Sequence, residues 1–299
     1  MTLEKILVIK LSALGDFILA MGAMEAIRRH HKDAHITLLT TRPFLDIAER
    51  SGYFNDIIVD SRPKFYAIHE WYFLFRQFNS GNYTRVYDLQ MNDRTATYYR
   101  MFLKKPIWSG MMANAPLHAF KRHQEILKLA GIDMRLPDIA WMRADVSAFN
   151  LKKPYILLIP GSAPQHPAKR WPAVRYAALG LMLMKAGYQV AVIGTHAEAE
   201  VIAGVVAACP GIIDLCGRTS LYDIATLARG AAGAIGNDTG PVHLVALAGC
   251  PTVVLFCTKV SSPERSAPVG KSVQIIQSES LEDVSVSDVY KNFKPEVAA

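Results

Sequence analysis

The chain lacks most of the sequence devices that announce a cofactor or a metal centre. No G-x-G-x-x-G follows its opening apolar run, which weakens a dinucleotide reading, and no G-x-x-x-x-G-K-[ST] phosphate loop occurs. H-E-x-x-H, G-x-S-x-G and paired D-x-D aspartates are absent too. Cysteine is scarce: Cys209, Cys216, Cys250 and Cys257 form no C-x-x-C pair, and each sits in or beside an apolar segment. Buried free thiols are expected there, not a metal site or a disulfide framework. Long apolar runs are also missing. The longest window, Val242 to Cys257, is interrupted by His243 and Pro251 and falls short of a bilayer span. No basic segment followed by an apolar stretch opens the chain, so no secretory signal is evident and a soluble cytoplasmic protein is expected.

What the chain does have is enough apolar residue for substantial cores. Its 299 residues, 51% hydrophobic and 20% charged, suit two globular domains. The net charge of +7 is uneven: through Asn150 there are 20 Lys+Arg against 15 Asp+Glu, and beyond it 13 against 11. A basic first half suits an anionic partner such as a phosphorylated lipid surface or a nucleic acid, and equally a solvated face.

Two halves repeat one grammar of short apolar runs alternating with helical periods, which predicts parallel sheets covered on both faces. In the first half, strands are expected at Ile6–Lys10, Ile36–Thr40, Ile57–Val59 and Val86–Leu89. Helices are expected at Phe17–His31, Pro43–Arg50, Ile68–Phe78 and Thr95–Phe102. Periodicity lapses over Asp145–Pro154, so the boundary is set between residues 1–150 and 151–299. The second half reads as five strands, Tyr155–Ile159, Gln189–Ile193, Ile212–Leu215, Ala234–Gly236 and Thr252–Phe256, with helices between them. Right-handed crossovers would wind these into a Rossmann-like domain whose ligands lie at the carboxyl ends of the strands. A final helix is expected near Val286–Phe293, free to pack back on the first domain.

Four loops at such strand ends carry chemistry. Gly236-Asn237-Asp238-Thr239-Gly240-Pro241-Val242-His243 is a strand-to-helix turn whose free N–H groups and helix end suit a phosphate. Asp238, Thr239 and His243 add a carboxylate, a hydroxyl and an imidazole, more than a helix start needs. Lys10-Leu11-Ser12-Ala13-Leu14-Gly15-Asp16 follows the opening strand; Asp16 suits either a helix cap or a group aimed into an interdomain cleft. The proline-stiffened loop Pro160–Pro172 offers Gly161 and Ser162 as donors and Lys169 and Arg170 as cations. These are what a leaving diphosphate needs, and also what a basic exposed loop contains. In Gly194–Glu200, Glu198 or Glu200 can hold a ribose or serve as a first-turn acid.

Together, Leu14-Gly15-Asp16, the Gly161-Ser162 loop with Lys169-Arg170-Trp171-Pro172, and Asp238-Thr239-Gly240 with His243 resemble glycosyltransferase family 9, the ADP-heptose:lipopolysaccharide heptosyltransferases. The resemblance implies a GT-B α/β architecture, two Rossmann-like domains facing across a cleft, with donor on the second and acceptor on the first. It implies an inverting, metal-independent transfer of heptose from ADP-heptose to a lipopolysaccharide-core or other glycolipid acceptor. No cofactor, metal or nucleic acid is expected, and peripheral contact with the inner membrane is. By this resemblance Asp16 is the general base, and Lys169 contacts donor phosphate and sugar. Ser162, where the family often has Thr, binds the pyrophosphate, and Glu198 holds the ribose. Thr219 and Leu221 border the adenine, Asp238 and His243 grip the heptose, and Thr239 and Gly240 touch the diphosphate. Another nucleotide sugar, another glycan acceptor, or a noncatalytic nucleotide-sugar-binding protein are the alternatives. The aromatic stretch from Lys64 to Phe102 matches no motif; Arg62, Lys64, Arg94, Arg100, Lys104 and Lys105 are its unranked candidates for an acidic acceptor.

Overall fold

The computed structural model describes residues 3–64, 66–102, 106–110 and 117–293. Lys104 and Lys105 lie outside them. The chain divides into two units, Met1–Asp138 and Ile139–Ala299. This division falls ahead of the Asn150/Leu151 boundary expected from the loss of periodicity. Residues 139–150 are held by the second unit: Arg229 donates to the carbonyls of Ile139 (2.5 Å) and Met142 (2.7 Å), and the Ala144 N–H to Thr226 Oγ1 (3.0 Å).

The first unit runs β1 (Lys5–Ile9), α1 (Leu14–His30), β2 (His35–Thr40), α2 (Leu45–Ser51), β3 (Asp56–Val59), α3 (Ile68–Gly81), β4 (Arg85–Asp88), α4 (Asp93–Met101), β5 (Ile107–Ser109) and α5 (Ala119–Leu129). Its sheet is ordered β3-β2-β1-β4-β5, all parallel. β1 is a continuous apolar run, as a central parallel strand covered on both faces must be. α1 starts at Leu14, three residues before the expected Phe17, which makes Gly15 and Asp16 helical. Its last turn carries Arg28, Arg29 and His30, cations suited to the negative helix end. β5 and α5 had no counterpart in the sequence reading. β5 has three residues, too few for a period to show.

The second unit runs β6 (Tyr155–Ile159), α6 (Ala173–Lys185), β7 (Gln189–Gly194), α7 (Ala199–Ala208), β8 (Ile213–Cys216), α8 (Leu221–Gly230), β9 (Gly233–Asn237), α9 (Gly240–Leu247), β10 (Thr252–Cys257), α10 (Pro263–Ser266), β11 (Val273–Ser278) and α11 (Val286–Asn292). Its six parallel strands are ordered β11-β10-β9-β6-β7-β8, the doubly wound Rossmann order, with the reversal between β6 and β9. β11 was missed because it is an edge strand whose Gln274 and Gln277 break the apolar pattern. α11 stays with this unit: Val289 and Phe293 are buried in the same core as Trp171 and Leu179. All four cysteines are free thiols, and Cys209, Cys250 and Cys257 are buried. Among the described residues no helix is long and apolar enough to cross a membrane.

One buried amide fixes the strand ends at the reversal point. Asn237 closes β9 with no exposed surface. Its Nδ2 donates to the carbonyls of Pro160 (2.7 Å) and Gly161 (3.4 Å), which follow β6. Its Oδ1 accepts from the Trp171 N–H (3.1 Å) and from the Tyr176 hydroxyl on α6 (2.9 Å). Trp171 is itself fully buried, with its indole N–H on the Val284 carbonyl at 2.9 Å and its ring edge-on to Tyr176. Replacing Asn237 by Ala strands several buried donors and acceptors, each worth about 1–3 kcal/mol when left unpaired. Asn237→Ala is therefore expected to lower unfolding free energy by roughly 2–4 kcal/mol in urea titration; a loss within about 0.5 kcal/mol of zero, typical of surface substitutions, would deny the amide this role.

Candidate active site

In the second unit the Pro160–Pro172 loop and the β9–α9 turn meet through side chains. Asp238 follows Asn237, and its backbone N–H bonds the Leu255 carbonyl of β10 at 3.1 Å. The Asp238 carboxylate, almost wholly buried, takes the Lys169 ammonium at 2.6 Å. His243, one turn into α9 and equally buried, stands with Nε2 at 3.9 Å from the other carboxylate oxygen. Burial alone would raise the Asp238 pKa. The His243 ring, the Lys169 ammonium and the Ser261 hydroxyl outweigh it and hold the carboxyl below its ordinary value. The opposite ring nitrogen of His243, Nδ1, is buried without a hydrogen-bond partner. Thr239 and Gly240 open α9 with no side-chain cap on its first N–H groups. A carboxylate, an ammonium, an imidazole and the positive end of a helix thus converge at the carboxyl end of β9.

Ser162 and Arg170 turn inward on the same loop. Ser162 is buried; its hydroxyl donates to the His166 carbonyl at 3.0 Å and accepts Arg170 Nε at 3.1 Å, while Arg170 also holds the Ser162 carbonyl at 3.0 Å. Both side chains brace the loop in which Lys169 lies. Glu198 occupies the space between the ends of β6 and β7. One of its oxygens accepts the Thr195 N–H (2.7 Å) and hydroxyl (3.0 Å). Gly161 is required by this arrangement, since a Cβ there would overlap the Glu198 carboxylate. Thr219 and Leu221 lie at the start of α8, beyond β8, and the Thr219 hydroxyl is buried without a partner. The predicted residues of this unit therefore fall on loops at the carboxyl ends of β6, β7, β8 and β9. Lys169, Asp238 and His243 form one cluster, Gly161 and Glu198 another contact.

In the first unit Asp16 is the third residue of α1, and its carboxylate accepts the Ala13 N–H at 3.3 Å. It therefore closes the helix start from inside the first turn instead of preceding the helix as a cap. The loop before it is tightly held at the reversal point between β1 and β4. Gln90 Oε1 accepts the N–H groups of Leu11 (2.9 Å) and Ser12 (3.1 Å), and Thr41 Oγ1 donates to the Leu11 carbonyl (2.7 Å). Arg62 donates to Ser12 Oγ at 2.6 Å. Beneath the loop, buried Lys10 donates to the Leu89 carbonyl at 3.2 Å. Burial lowers the Lys10 pKa, and the nearby Asp16 and Asp88 charges oppose that shift. His123 is buried beside it, with Nε2 on the same carbonyl at 3.1 Å, and burial drives its pKa down to about 3. It stays neutral. Arg94 pairs with the buried Asp60 through two bonds of 2.9 Å, which Tyr98 reinforces at 2.5 Å, so its charge is committed inside the unit. The sequence does not single out Gln90, Asn237 and Asp60, because the partners that give them their place, such as Leu11, Trp171 and Arg94, are distant along the chain. No group of three or more potential metal ligands occurs among the described residues.

Residues 130–293 match the model of glycosyltransferase family 9 (heptosyltransferase). The lipooligosaccharide heptosyltransferase 2 of Haemophilus influenzae is 31% identical over 131 residues, which are 42% of this chain and 37% of that protein, so the match spans little more than a third of the relative's length. A family 9 glycosyl transferase from Veillonella parvula superposes with a TM-score of 0.80 at 23% identity, covering 98% of this chain and 97% of the other. The E. coli ADP-heptose LPS heptosyltransferase II gives 0.74 at 23%, covering 96% and 97%. The fold is the expected α/β class of two Rossmann-like, parallel-sheet halves of GT-B type. The family match itself lies mainly in the second unit, where the Lys169–Asp238–His243 cluster stands, and it spans more than half of the sequence: the chain belongs to glycosyltransferase family 9.

Proposed function

We propose that the protein transfers a heptose from ADP-heptose to a lipopolysaccharide-core sugar, with inversion and without a metal ion. The observation that carries this reading is the Lys169–Asp238 pair of 2.6 Å set against the uncapped start of α9. Lys169 and the α9 N–H groups supply positive charge for a diphosphate, and Asp238 and His243 supply polar groups for the sugar's hydroxyls. Glu198, between the ends of β6 and β7, suits a ribose, and the start of α8 with Thr219 and Leu221 suits the base. Each of these assignments agrees with the donor named for the E. coli structure above.

The first unit contributes the base. Asp16 takes the proton of the acceptor hydroxyl as its oxygen attacks the anomeric carbon. The bond from that carbon to the diphosphate breaks, and ADP leaves with the electron pair, stabilised by Lys169 and the α9 N-terminus. The clamps from Gln90, Thr41 and Arg62 fix the loop ahead of Asp16, and a fixed base is what such a step requires. An acceptor sugar of this kind is lipid-linked, so the enzyme would work at the cytoplasmic face of the inner membrane.

A thermal-shift series separates this reading from others: ADP and ADP-heptose should stabilise the protein above UDP and GDP ligands, and the reverse order would redirect the donor assignment. Asp16→Asn keeps an oxygen for the Ala13 N–H while removing the base. It is expected to cut transfer by about 10²–10⁴-fold with ADP affinity nearly intact, and unchanged turnover would remove Asp16 from the mechanism. Transfer should persist in EDTA; strong inhibition reversed by a divalent ion would contradict the metal-free step.

A further inference from the structure

Among the described residues of the first unit, α3 presents the most exposed aromatic side chains on its outward side. Trp71, Leu74 and Phe78 turn inward onto the core, where Leu74 and Phe78 are buried. Two neighbouring stripes at helical spacing face out. Ile68, Tyr72 and Phe75 form one, with Ile68 78% and Tyr72 54% exposed. His69, Phe73 and Arg76 form the other, with Phe73 51% exposed and its ring edge-on to His69. The apolar surface continues onto α4: Phe75 lies 5.3 Å from Phe102, beside the exposed Met101. Large apolar side chains this exposed and this contiguous mark an interaction surface.

The charges around the patch identify what it meets. Lys64, Arg76 and Arg100 are exposed: Lys64 lies four residues ahead of Ile68, Arg76 ends the His69–Phe73 stripe, and Arg100 precedes Met101. Glu70, the single acid of α3, belongs to neither outward stripe; it is exposed on the helix flank and accepts the Ser61 hydroxyl at 3.0 Å. A two-fold contact between copies would set Arg76 against the same basic stripe, at a cost in repulsion. Aromatic and aliphatic side chains with Arg and Lys close by, and no acid on either stripe, match the boundary between headgroups and acyl chains of an anionic bilayer.

We propose that the outer face of α3, with Met101 and Arg100 of α4, docks the protein on anionic phospholipid. Ile68, Tyr72 and Phe73 enter the acyl boundary, and Lys64, Arg76 and Arg100 lie at the headgroup phosphates. The inference deepens the proposed function, and rests on it for the meaning of such docking, because a lipid-linked acceptor lies in that same surface.

Flotation with full-length protein tests it, using vesicles of phosphatidylglycerol and phosphatidylethanolamine against vesicles of phosphatidylcholine, none holding any acceptor glycolipid. Binding should require phosphatidylglycerol and weaken with salt. Arg76→Gln should weaken it about five-fold, and Ile68→Ser/Phe73→Ser at least ten-fold. Thermal stabilisation by ADP, read on the same variants, should stay at the wild-type value and certifies their fold. Transfer to a delipidated, water-soluble core acceptor should also be unchanged, so a failed donor or transfer assay speaks against the proposed function and a failed flotation against the docking face alone. Vesicle binding that ignores both variants, or absent from wild-type protein, would overturn the proposal. So would self-association in sedimentation equilibrium that the same variants abolish, which would assign the face to a second copy.

Discussion

The site end of the second unit depends on the four hydrogen bonds of the Asn237 amide. A parallel sheet ends in loops that its ladder does not hold, and at the reversal between β6 and β9 two of these must stand side by side. The amide joins them by satisfying the Pro160 and Gly161 carbonyls with its nitrogen and the Trp171 N–H and Tyr176 hydroxyl with its oxygen. Trp171 is two residues after Lys169, and Asn237 one before Asp238. The 2.6 Å ion pair therefore grows directly out of the buried hub. Because the hub is buried, its bonds are worth more than exposed ones and tolerate little displacement.

The first unit solves the same problem with different chemistry. Its loop after β1 is held by the Gln90 side chain from beyond β4, again across the reversal of strand order. In both units a carboxamide from the central neighbouring strand's end fixes the β1-like loop. Lys10 and His123 lie beneath: burial leaves His123 neutral, and the Asp16 and Asp88 charges oppose the downward shift that burial gives Lys10.

Much of this was legible in the residues. The alternation of apolar runs with helical periods predicts parallel α/β halves, and Gly236–His243 is readable as the strand-to-helix turn that joins β9 to α9. Asn237 stood inside that turn and drew no notice, since an asparagine declares itself only through partners, here 61 to 77 residues away. Gly15 predicts a turn that would set Asp16 before its helix; the helix instead begins at Leu14, where glycine's low propensity is overridden by packing of the buried stretch Phe17–Met24 behind it. Ser162 and Arg170 looked like free donors, and only the folded loop shows them bonded to each other. The edge strand β11 was hidden by its glutamines. The aromatic helix α3 was visible as composition, but which of its stripes faces outward is settled only by packing.

The most direct measurement of the central account is product analysis with ADP-heptose and a heptose-free lipopolysaccharide core. The account predicts an acceptor heavier by one heptose residue, with ADP released in equal amount and the new glycosidic bond opposite in anomeric configuration to the donor. No mass gain on any core acceptor despite donor binding, or a product that retains the donor's configuration, would contradict it.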